Sequence, residues 1–248
     1  METYLLSFFV ILLNMEVVIV VPARNEGLVL KKSIPFLIEG IKKLDSKFSW
    51  HIIIVDNASE DDTSSIAKSL VADNIIVRSV GALGRGAVLR DTWLHTDADV
   101  YAYIDADLDI HPQALVRGIE LVASGCDVVV GSKSHKDSNV ERPWWRNFVS
   151  FALFLCIKLR YSLDVSDTQC GMKVLSRRSV IELLPLTEKD DWLFDLELLV
   201  LAKKDHKRIV EIPVEVKANR MGYRKSKVRV FATALKFFHF FISLDLSL

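Results

Sequence analysis

The sequence of 248 residues has few cysteines and no excess of either charge. Its three cysteines, Cys126, Cys156 and Cys170, lie far apart and match neither a zinc site nor a disulfide framework. We therefore expect reduced thiols in a cytosolic setting. The 32 basic residues balance the 32 acidic residues. The total charge thus gives no indication of a nucleic-acid partner.

The sequence also lacks a long apolar run of the kind that crosses a bilayer, which takes about 20 residues. The segment from Tyr4 to Leu13 is apolar apart from Ser7, but this is too short. It lacks the positive start and the small-residue cleavage site of a signal peptide. We interpret residues 1–14 as an N-terminal extension. It is either a membrane-surface anchor or an artefact of start-site choice, with Met15 as the true first residue.

With only six prolines and half of its residues apolar, the chain has the composition to bury the core of one α/β domain. Short β-branched runs alternate with segments of helical length and periodicity. The runs predict buried strands at residues 16–21, 51–55, 74–80, 99–104 and 126–131. The intervening segments predict helices at residues 62–72, 86–96 and 112–124.

This alternation predicts a mostly parallel sheet with helices on both faces. Ligands of such sheets bind at the carboxyl ends of the strands. All five predicted strands are followed by loops that contain charged residues or glycine, so we expect the chemistry there. The loops are PARNEG (22–27), DNASEDDT (56–63), GALGRGA (81–87), the aspartate-rich segment from residue 105, and GSKSHK (131–136).

The aspartate-rich segment, in YIDADLD, places Asp105, Asp107 and Asp109 at alternate positions behind a predicted strand. In an extended chain these side chains point to one side. Three carboxylates at close quarters repel one another unless a cation lies among them. Carboxylates without histidine or thiol ligands favour Mg²⁺ or Mn²⁺, held together with phosphate oxygens. The sequence therefore predicts a divalent metal that bridges a pyrophosphate; the alternative is a solvated turn.

Eight segments occur in the order seen in family 2 glycosyltransferases. They are VVPARNEG, IIIVDNASEDDT, GRGA, YIDADLD, VVVGSK, SDTQCGMKVLSR, WLFDLELLVLA and EIPVEV. The chain resembles the branch that makes polyprenyl- or dolichyl-phosphate sugars, from about Glu16 to about Leu235. The resemblance implies a GT-A type, Rossmann-like nucleotide-binding fold with a mixed, mainly parallel sheet. We expect the glycosyltransferase domain to cover residues 15–226 and an amphipathic helix at the membrane surface to cover residues 227–248.

The resemblance also implies a donor site. Its nucleotide-binding residues would be Pro22, Ala23, Asn25, Glu26, Asp56, Gly84, Arg85 and Asp105. Asp105 and Asp107 match the family's metal and diphosphate aspartates, and Asp109 would add a ligand. The residues implied for catalysis are Asp107, Asp167 and Glu197.

For the acceptor and its phosphate, the resemblance implies a second set of residues. These are Lys133, Arg146, Gln169, Arg220, Ser226 and Lys227. Gln169 lies with Asp167 in the loop SDTQCG, which closes on the sugar in the family. Lys133 stands where relatives often carry arginine, so it keeps the charge but loses the bidentate fork. The spacing around Arg220 is longer than usual for the family.

The mechanism implied is an inverting transfer of a hexose from a nucleotide sugar. A divalent metal stabilises the charge that builds up on the departing phosphate. A lipid phosphate acceptor is already anionic and needs little help from a base, whereas a hydroxyl acceptor would need Glu197 or Asp195. SDTQCG with FDLELL resembles the glucosyl subset of the family, which favours UDP-glucose, with GDP-mannose next.

Three features, taken together with the resemblance, indicate a peripheral enzyme on the cytoplasmic face of a membrane. Six basic residues and no acidic one lie between Lys217 and Arg229, a pattern suited to an anionic membrane surface. Residues 228–244 predict a helix with a narrow polar stripe. Residues 144–157 begin with two tryptophans before an apolar run. Each feature alone fits a packed core or a solvated face.

Three other functions stay open. The first is a soluble glycosyltransferase that acts on a glycan or protein hydroxyl. The second is a dehalogenase-type phosphohydrolase, although that motif lies near the N-terminus and has threonine or valine where this chain has Asp109. The third is a silent nucleotide-sugar binder. The presence of the carboxylates that a metal needs argues against it.

Overall fold

A seven-stranded sheet flanked by helices forms the centre of the protein. The computed structural model describes residues 15–81, 83–140 and 144–216, with residues 144–149 as backbone. The strands are β1 (Met15–Ala23), β2 (Phe48–Asn57), β3 (Ile75–Val80), β4 (Val100–Ile104), β5 (Val128–Ser132), β6 (Asn139–Val140), β7 (Met172–Ser176), β8 (Ile209–Pro213) and β9 (Glu215–Val216). The helices are α1 (Gly27–Ile41), α2 (Thr63–Ser69), α3 (Arg85–Leu94), α4 (Pro112–Ala123), α5 (Trp144–Tyr161), α6 (Arg177–Leu183) and α7 (Phe194–Lys204), with short 3₁₀ turns at Lys42–Leu44 and Leu184–Leu186.

The predicted strands and helices are confirmed, with ends displaced by a few residues. The strands form because their runs of valine and isoleucine fit a sheet that is covered on both faces. In β1, residues 17–21 are all buried, as are residues 52–55 of β2. Each fully buried valine or isoleucine contributes roughly 1.5–3 kcal/mol of transfer free energy. Proline at the first position of α4 and the His111 cap start that helix where the sequence predicts it.

The strand order is β3-β2-β1-β4-β7-β5-β8, and β7 runs antiparallel to both of its neighbours. Met172 at the start of β7 therefore lies beside Ile104 at the end of β4. The loop that leads into β7 is thus brought to the edge where the parallel strands end. A small second sheet pairs β6 with β9, Asn139 lying opposite Glu215.

The membrane features of the sequence are only partly visible in the fold. Within the described part of the chain, every helix falls short of the combined length and hydropathy needed to cross a bilayer. The N-terminal extension (residues 1–14) and the predicted C-terminal helix (227–248) lie outside the described residues. The basic block that begins at Lys217 lies outside them as well.

Helix α3 packs tightly against the segment that leads into α7. A Cβ atom at Gly86 would overlap the Cβ of Phe194 and lie 2.7 Å from the carbonyl oxygen of Lys189. One at Gly84 would overlap the carbonyl oxygen of Asp190. Both glycines of GRGA are therefore required by close packing.

We predict that Gly86→Ala lowers the free energy of unfolding by about 2 kcal/mol, because the added methyl group overpacks the α3–α7 contact. The matched control is Gly81→Ala, whose Cβ would meet no atom within 4 Å. Urea denaturation of both variants measures the difference. Equal stability of the two variants would contradict the packing described above.

Candidate active site

The loops after β1 and β2 are joined into one structure at the carboxyl edge of the sheet. Asn25 adopts a left-handed conformation with φ 54°. Its Oδ1 accepts a hydrogen bond from the Glu60 backbone N–H at 2.8 Å, and its own N–H donates to Ser59 Oγ at 3.0 Å. The Glu26 backbone N–H donates to Thr63 Oγ1 at 2.8 Å. These hydrogen bonds fix the backbone of the first loop. That loop carries the predicted nucleotide-binding residues, which include Pro22 and Ala23 at the end of β1.

The end of β2 supplies one predicted residue and one that sequence reasoning missed. Asp56 is buried, and its Oδ1 accepts a hydrogen bond from the Ser59 N–H at 3.2 Å. Asn57, which was not predicted, exchanges two hydrogen bonds with the backbone of Leu83, at 2.5 and 2.8 Å. Asn57 thereby fixes the loop that leads to Gly84. Its position directly after Asp56 is the only sign of this role in the sequence.

The aspartate-rich segment after β4 is a turn, so the expectation of an extended chain was wrong. The strand ends at Ile104, and Leu108 is buried with φ 43°. The Leu108 N–H donates to the Asp105 carbonyl at 3.1 Å and closes the turn. Ala106 and Leu108 are buried, whereas Asp105, Asp107 and Asp109 are each partly exposed, so exposure still alternates along the turn. Among the described residues, no three acidic, histidine or cysteine side chains are placed to hold a metal.

Asp109 is paired with a lysine from the neighbouring strand end. Lys133 Nζ lies 2.5 Å from Asp109 Oδ2, and the Lys133 N–H donates to Asp167 Oδ2 at 3.0 Å. Burial acts to lower the pKa of Lys133, but Asp109 outweighs it and the pKa lies above its ordinary value. The third aspartate of the predicted metal set is therefore neutralised by protein. The fold does bring Lys133, Asp109 and Asp167 together, as residues of one site.

Asp105 and Asp107 are both partly exposed at the same edge. Burial raises the pKa of Asp105 to about 6; Arg85 opposes this rise, and Asp107 and Asp109 add to it. A Cβ at position 171 would overlap the Asp105 carboxylate, so Gly171 is required for this placement. Two neighbouring carboxylates at one edge, of which Asp105 has a raised pKa, suit a divalent cation, which binds proteins through one or two carboxylates plus phosphate oxygens. The residues present therefore fit the predicted metal.

A buried carboxylate, Asp195, lies at the centre of an ion cluster beside this edge. It has no exposed surface and accepts hydrogen bonds from the Tyr103 hydroxyl and from Lys173 Nζ, the latter at 2.8 Å. Its Oδ2 pairs with Nη2 of Arg85, whose Nη1 lies 3.4 Å from Asp105 Oδ1. Burial acts to raise the pKa of Asp195, but Arg85 and Lys173 outweigh it and the pKa lies below its ordinary value. Asp195 is thus a paired anion without access to an acceptor.

Glu197 is bonded to a backbone loop. Its Oε2 accepts hydrogen bonds from the N–H groups of Glu188 and Lys189, at 3.0 and 2.8 Å. Burial raises the pKa of Glu197, and those backbone N–H groups oppose the rise. Arg90 on α3 holds the same loop through the carbonyl oxygen of Thr187, at 3.2 Å. These contacts show that Glu197 stabilises the loop at residues 187–189. Its catalytic role stays a prediction.

The loop SDTQCG, which precedes β7, is anchored by β8. Glu211 Oε1 accepts hydrogen bonds from the N–H and the hydroxyl of Ser166, at 2.8 and 2.6 Å, and from the Asp167 N–H at 3.2 Å. Gln169 Nε2 is buried and has no hydrogen-bond partner among the described atoms. Asp167 and Gln169 are therefore held at the carboxyl edge, where the sequence places them.

An open cleft of about 510 Å³ extends from Lys133 to α5. It is lined by Lys133, Ser134, His135, Ser138, Val140, Ser150, Phe151, Phe154 and Ser166. One end is polar and includes Lys133, which is paired with Asp109, and the other end is aromatic. Phe151 is exposed, and Leu155 and Leu159 continue an exposed apolar stripe one and two turns further along α5. This α5 stripe makes the apolar end of the cleft continuous with the protein surface.

For four of the six predicted acceptor residues, the side chain lies outside the described part of the structure. The Arg146 position lies within α5, but its side chain is outside the described residues. Arg220, Ser226 and Lys227 lie beyond the last described residue, Val216. For these four residues the sequence-based roles stay predictions.

The fold is of the GT-A type. Glucosyl-3-phosphoglycerate synthase from Mycobacterium tuberculosis in complex with UDP has a similar structure, with a TM-score of 0.68 at 19% identity over 92% of this chain and 79% of that one. The same enzyme with Mn²⁺ and UDP-glucose gives a TM-score of 0.65 at 21% identity, over 93% of this chain and 81% of that one. The predicted GT-A fold is confirmed.

The profile of glycosyl transferase family 2 matches residues 18–184, and the chain belongs to that family. Glycosyltransferase AglD of Haloferax volcanii is 30% identical over 206 residues, 82% of this chain and 33% of AglD. A dolichyl-phosphate beta-glucosyltransferase of Trichomonas vaginalis is 29% identical over 225 residues, 84% of this chain and 65% of that protein. The chain thus spans about a third of the length of AglD and just under two thirds of the length of the Trichomonas protein. The predicted family is confirmed, which argues against the dehalogenase-type alternative.

We predict that Glu197→Ala lowers the free energy of unfolding by about 2 kcal/mol, since two backbone N–H groups lose a charged acceptor. The control is Glu39→Ala, which removes an exposed carboxylate that pairs with Lys42 on the surface. Thermal and urea unfolding compare the two variants. A Glu197→Ala variant as stable as the control would show that the hydrogen bonds of Glu197 do not stabilise the fold.

Proposed function

We propose that the chain transfers glucose from UDP-glucose to a polyprenyl phosphate such as dolichyl phosphate, with inversion at the anomeric carbon. A hydroxyl acceptor would require a carboxylate base, either Asp195 or Glu197. The observation that supports the proposal is that both carboxylates are already engaged by other protein groups. Asp195 is fully buried in ion pairs, and Glu197 accepts two backbone hydrogen bonds. A phosphate acceptor is already anionic near neutral pH and needs no such base.

The donor side of the proposal has its own support. Relatives of this chain include dolichyl-phosphate beta-glucosyltransferases, and a structural neighbour is known in complex with Mn²⁺ and UDP-glucose. In this chain the buried Asp56 would recognise the base or the ribose, and Arg85 would lie by the diphosphate. Asp105 and Asp107 would hold Mg²⁺ or Mn²⁺. The metal, when bound, supplies positive charge to the departing phosphate.

The acceptor side rests on the two ends of the cleft. The phosphate would lie at the polar end, where Lys133 and His135 line the wall. The first isoprene units would lie over Phe151 and Phe154, which line the apolar end. The α5 stripe would face the lipid, and the basic block after Val216 would add attraction to an anionic membrane surface on its cytoplasmic side.

The direct test mixes the purified chain with UDP-glucose, a polyprenyl phosphate and Mn²⁺, and follows the glucosylated lipid by mass spectrometry. We predict that Asp107→Asn lowers turnover at least about 100-fold without a change in melting temperature, because charge on the departing phosphate loses stabilisation. Asp73→Asn, in an exposed turn, is the control. Near-normal turnover of Asp107→Asn would refute the metal assignment.

A second prediction concerns the acceptor alone. Phe151→Asp should raise KM for the polyprenyl phosphate about tenfold and leave KM for UDP-glucose unchanged, because one apolar contact with the lipid is lost. Ile181→Asp, on the exposed side of α6, is the control for a new surface charge. Equal KM values for the lipid in the two variants would show that the acceptor does not bind in this cleft.

A further inference from the structure

The ion cluster around Asp195 has an inner and an outer part. The inner pair, Asp195 and Lys173, has 0% side-chain exposure and a separation of 2.8 Å. The outer pair, Arg85 and Asp105, has side-chain exposures of 24% and 36% and lies at the edge of the site. Two positive and two negative groups thus connect the buried core of the domain with the candidate donor site.

Arg85 is held mainly by the buried Asp195 and less closely by Asp105. Its contact with Asp105 is 3.4 Å, longer than the roughly 2.7–2.9 Å that is usual for charge-assisted hydrogen bonds. Its contact with Asp195 is much closer, through Nη2. Arg85 Nε is buried and has no hydrogen-bond partner among the described atoms. One donor of the guanidinium, Nη2, is therefore fixed by Asp195, and Nη1 faces Asp105 at the edge of the site.

Asp195 is in turn fixed on its other oxygen. Tyr103 and Lys173 both donate to Oδ1, and Lys173 also donates to the Cys170 carbonyl at 3.1 Å. A carboxylate with three donors from β4, β7 and α3 cannot change rotamer without leaving a buried charge unpaired.

From this arrangement we infer that Asp195 is a positioning residue that orients Arg85 for the diphosphate of the nucleotide sugar. The inference rests on the proposed donor. Arg85 carries the charge that meets the phosphates, and Asp195 acts only through Arg85. Because arginine has several rotatable bonds, a fixed partner at one end of its guanidinium removes conformations that face away from the site.

The test is a double-mutant cycle with Asp195→Asn, Arg85→Met and the double variant. The readouts are the dissociation constant for UDP in the presence of Mn²⁺, KM and kcat for UDP-glucose, and the melting temperature. Each single variant should weaken UDP binding about tenfold or more. The double variant should bind UDP no more weakly than Arg85→Met alone, since a residue that acts through Arg85 has no effect once Arg85 is absent. Additive losses would overturn the inference.

A milder cycle covers the case in which Asp195→Asn does not fold. Tyr103→Phe removes one hydrogen bond to Asp195 and changes no charge. It should weaken UDP binding a few-fold in the wild-type background and have no effect in the Arg85→Met background. An equal effect in both backgrounds would assign Tyr103 and Asp195 to general stability and overturn the inference.

The two proposals fail in different ways. A wild-type chain that binds UDP but gives no glucosylated lipid refutes the acceptor, while the cycles are still decided by UDP affinity. An active wild-type chain with additive cycles refutes the positioning role alone. A wild-type chain that does not bind UDP overturns both the donor and the role of Asp195.

Discussion

The contact between Arg85 and Asp195 is the constraint on which the rest of the site depends. Asp195 has no access to water, and a buried carboxylate is tolerated only when it is paired and hydrogen-bonded. Its partners come from three different elements, α3, β4 and β7, while Asp195 itself lies on α7. One carboxylate therefore holds four elements together next to the edge where the substrates would bind. The close fit of Gly86 against Phe194 brings the helices near enough for this pairing.

The reversed direction of β7 is equally important for the site. A parallel strand at this position would end at the carboxyl edge, whereas β7 begins there. Because β7 runs in the opposite direction, Gly171 lies against Asp105, and Asp167 accepts a hydrogen bond from the Lys133 N–H. The edge is thereby divided into two halves. In the proposed function, the loops after β1, β2 and β4 would form the donor half, and the end of β5 with α5 would form the acceptor half.

The sequence was sufficient for the parts of the fold that depend on local pattern. Continuous β-branched runs are typical of buried parallel strands, and they predicted β1 to β5 with small errors at the ends. The polar loops at the strand ends located the site for the same reason, since parallel strands share one carboxyl edge. The GT-A topology came from the ordered motifs rather than from the pattern. Periodicity alone gave no sign that β7 is antiparallel.

The features that the sequence did not predict depend on tertiary contacts. Alternation of the aspartates predicted an extended segment, but the segment is a turn in which Leu108 has φ 43°, and Asp109 pairs with Lys133. The motif that contains Glu197 gave no sign that its carboxylate accepts hydrogen bonds from the backbone of Glu188 and Lys189. Asp195 was considered only as a base, because its pairing with Arg85 spans 110 positions of sequence. Such long-range partners leave no local signal.

The decisive measurement is a crystal structure of the chain with UDP and Mn²⁺. We predict that the diphosphate lies between the Asp105–Asp107 turn and Arg85, that Arg85 donates to a phosphate oxygen, and that Asp195 keeps its contact with Arg85. Nucleotide bound away from this edge, or an Arg85 side chain turned away from Asp195 in the complex, would show that Arg85 and Asp195 do not position the donor.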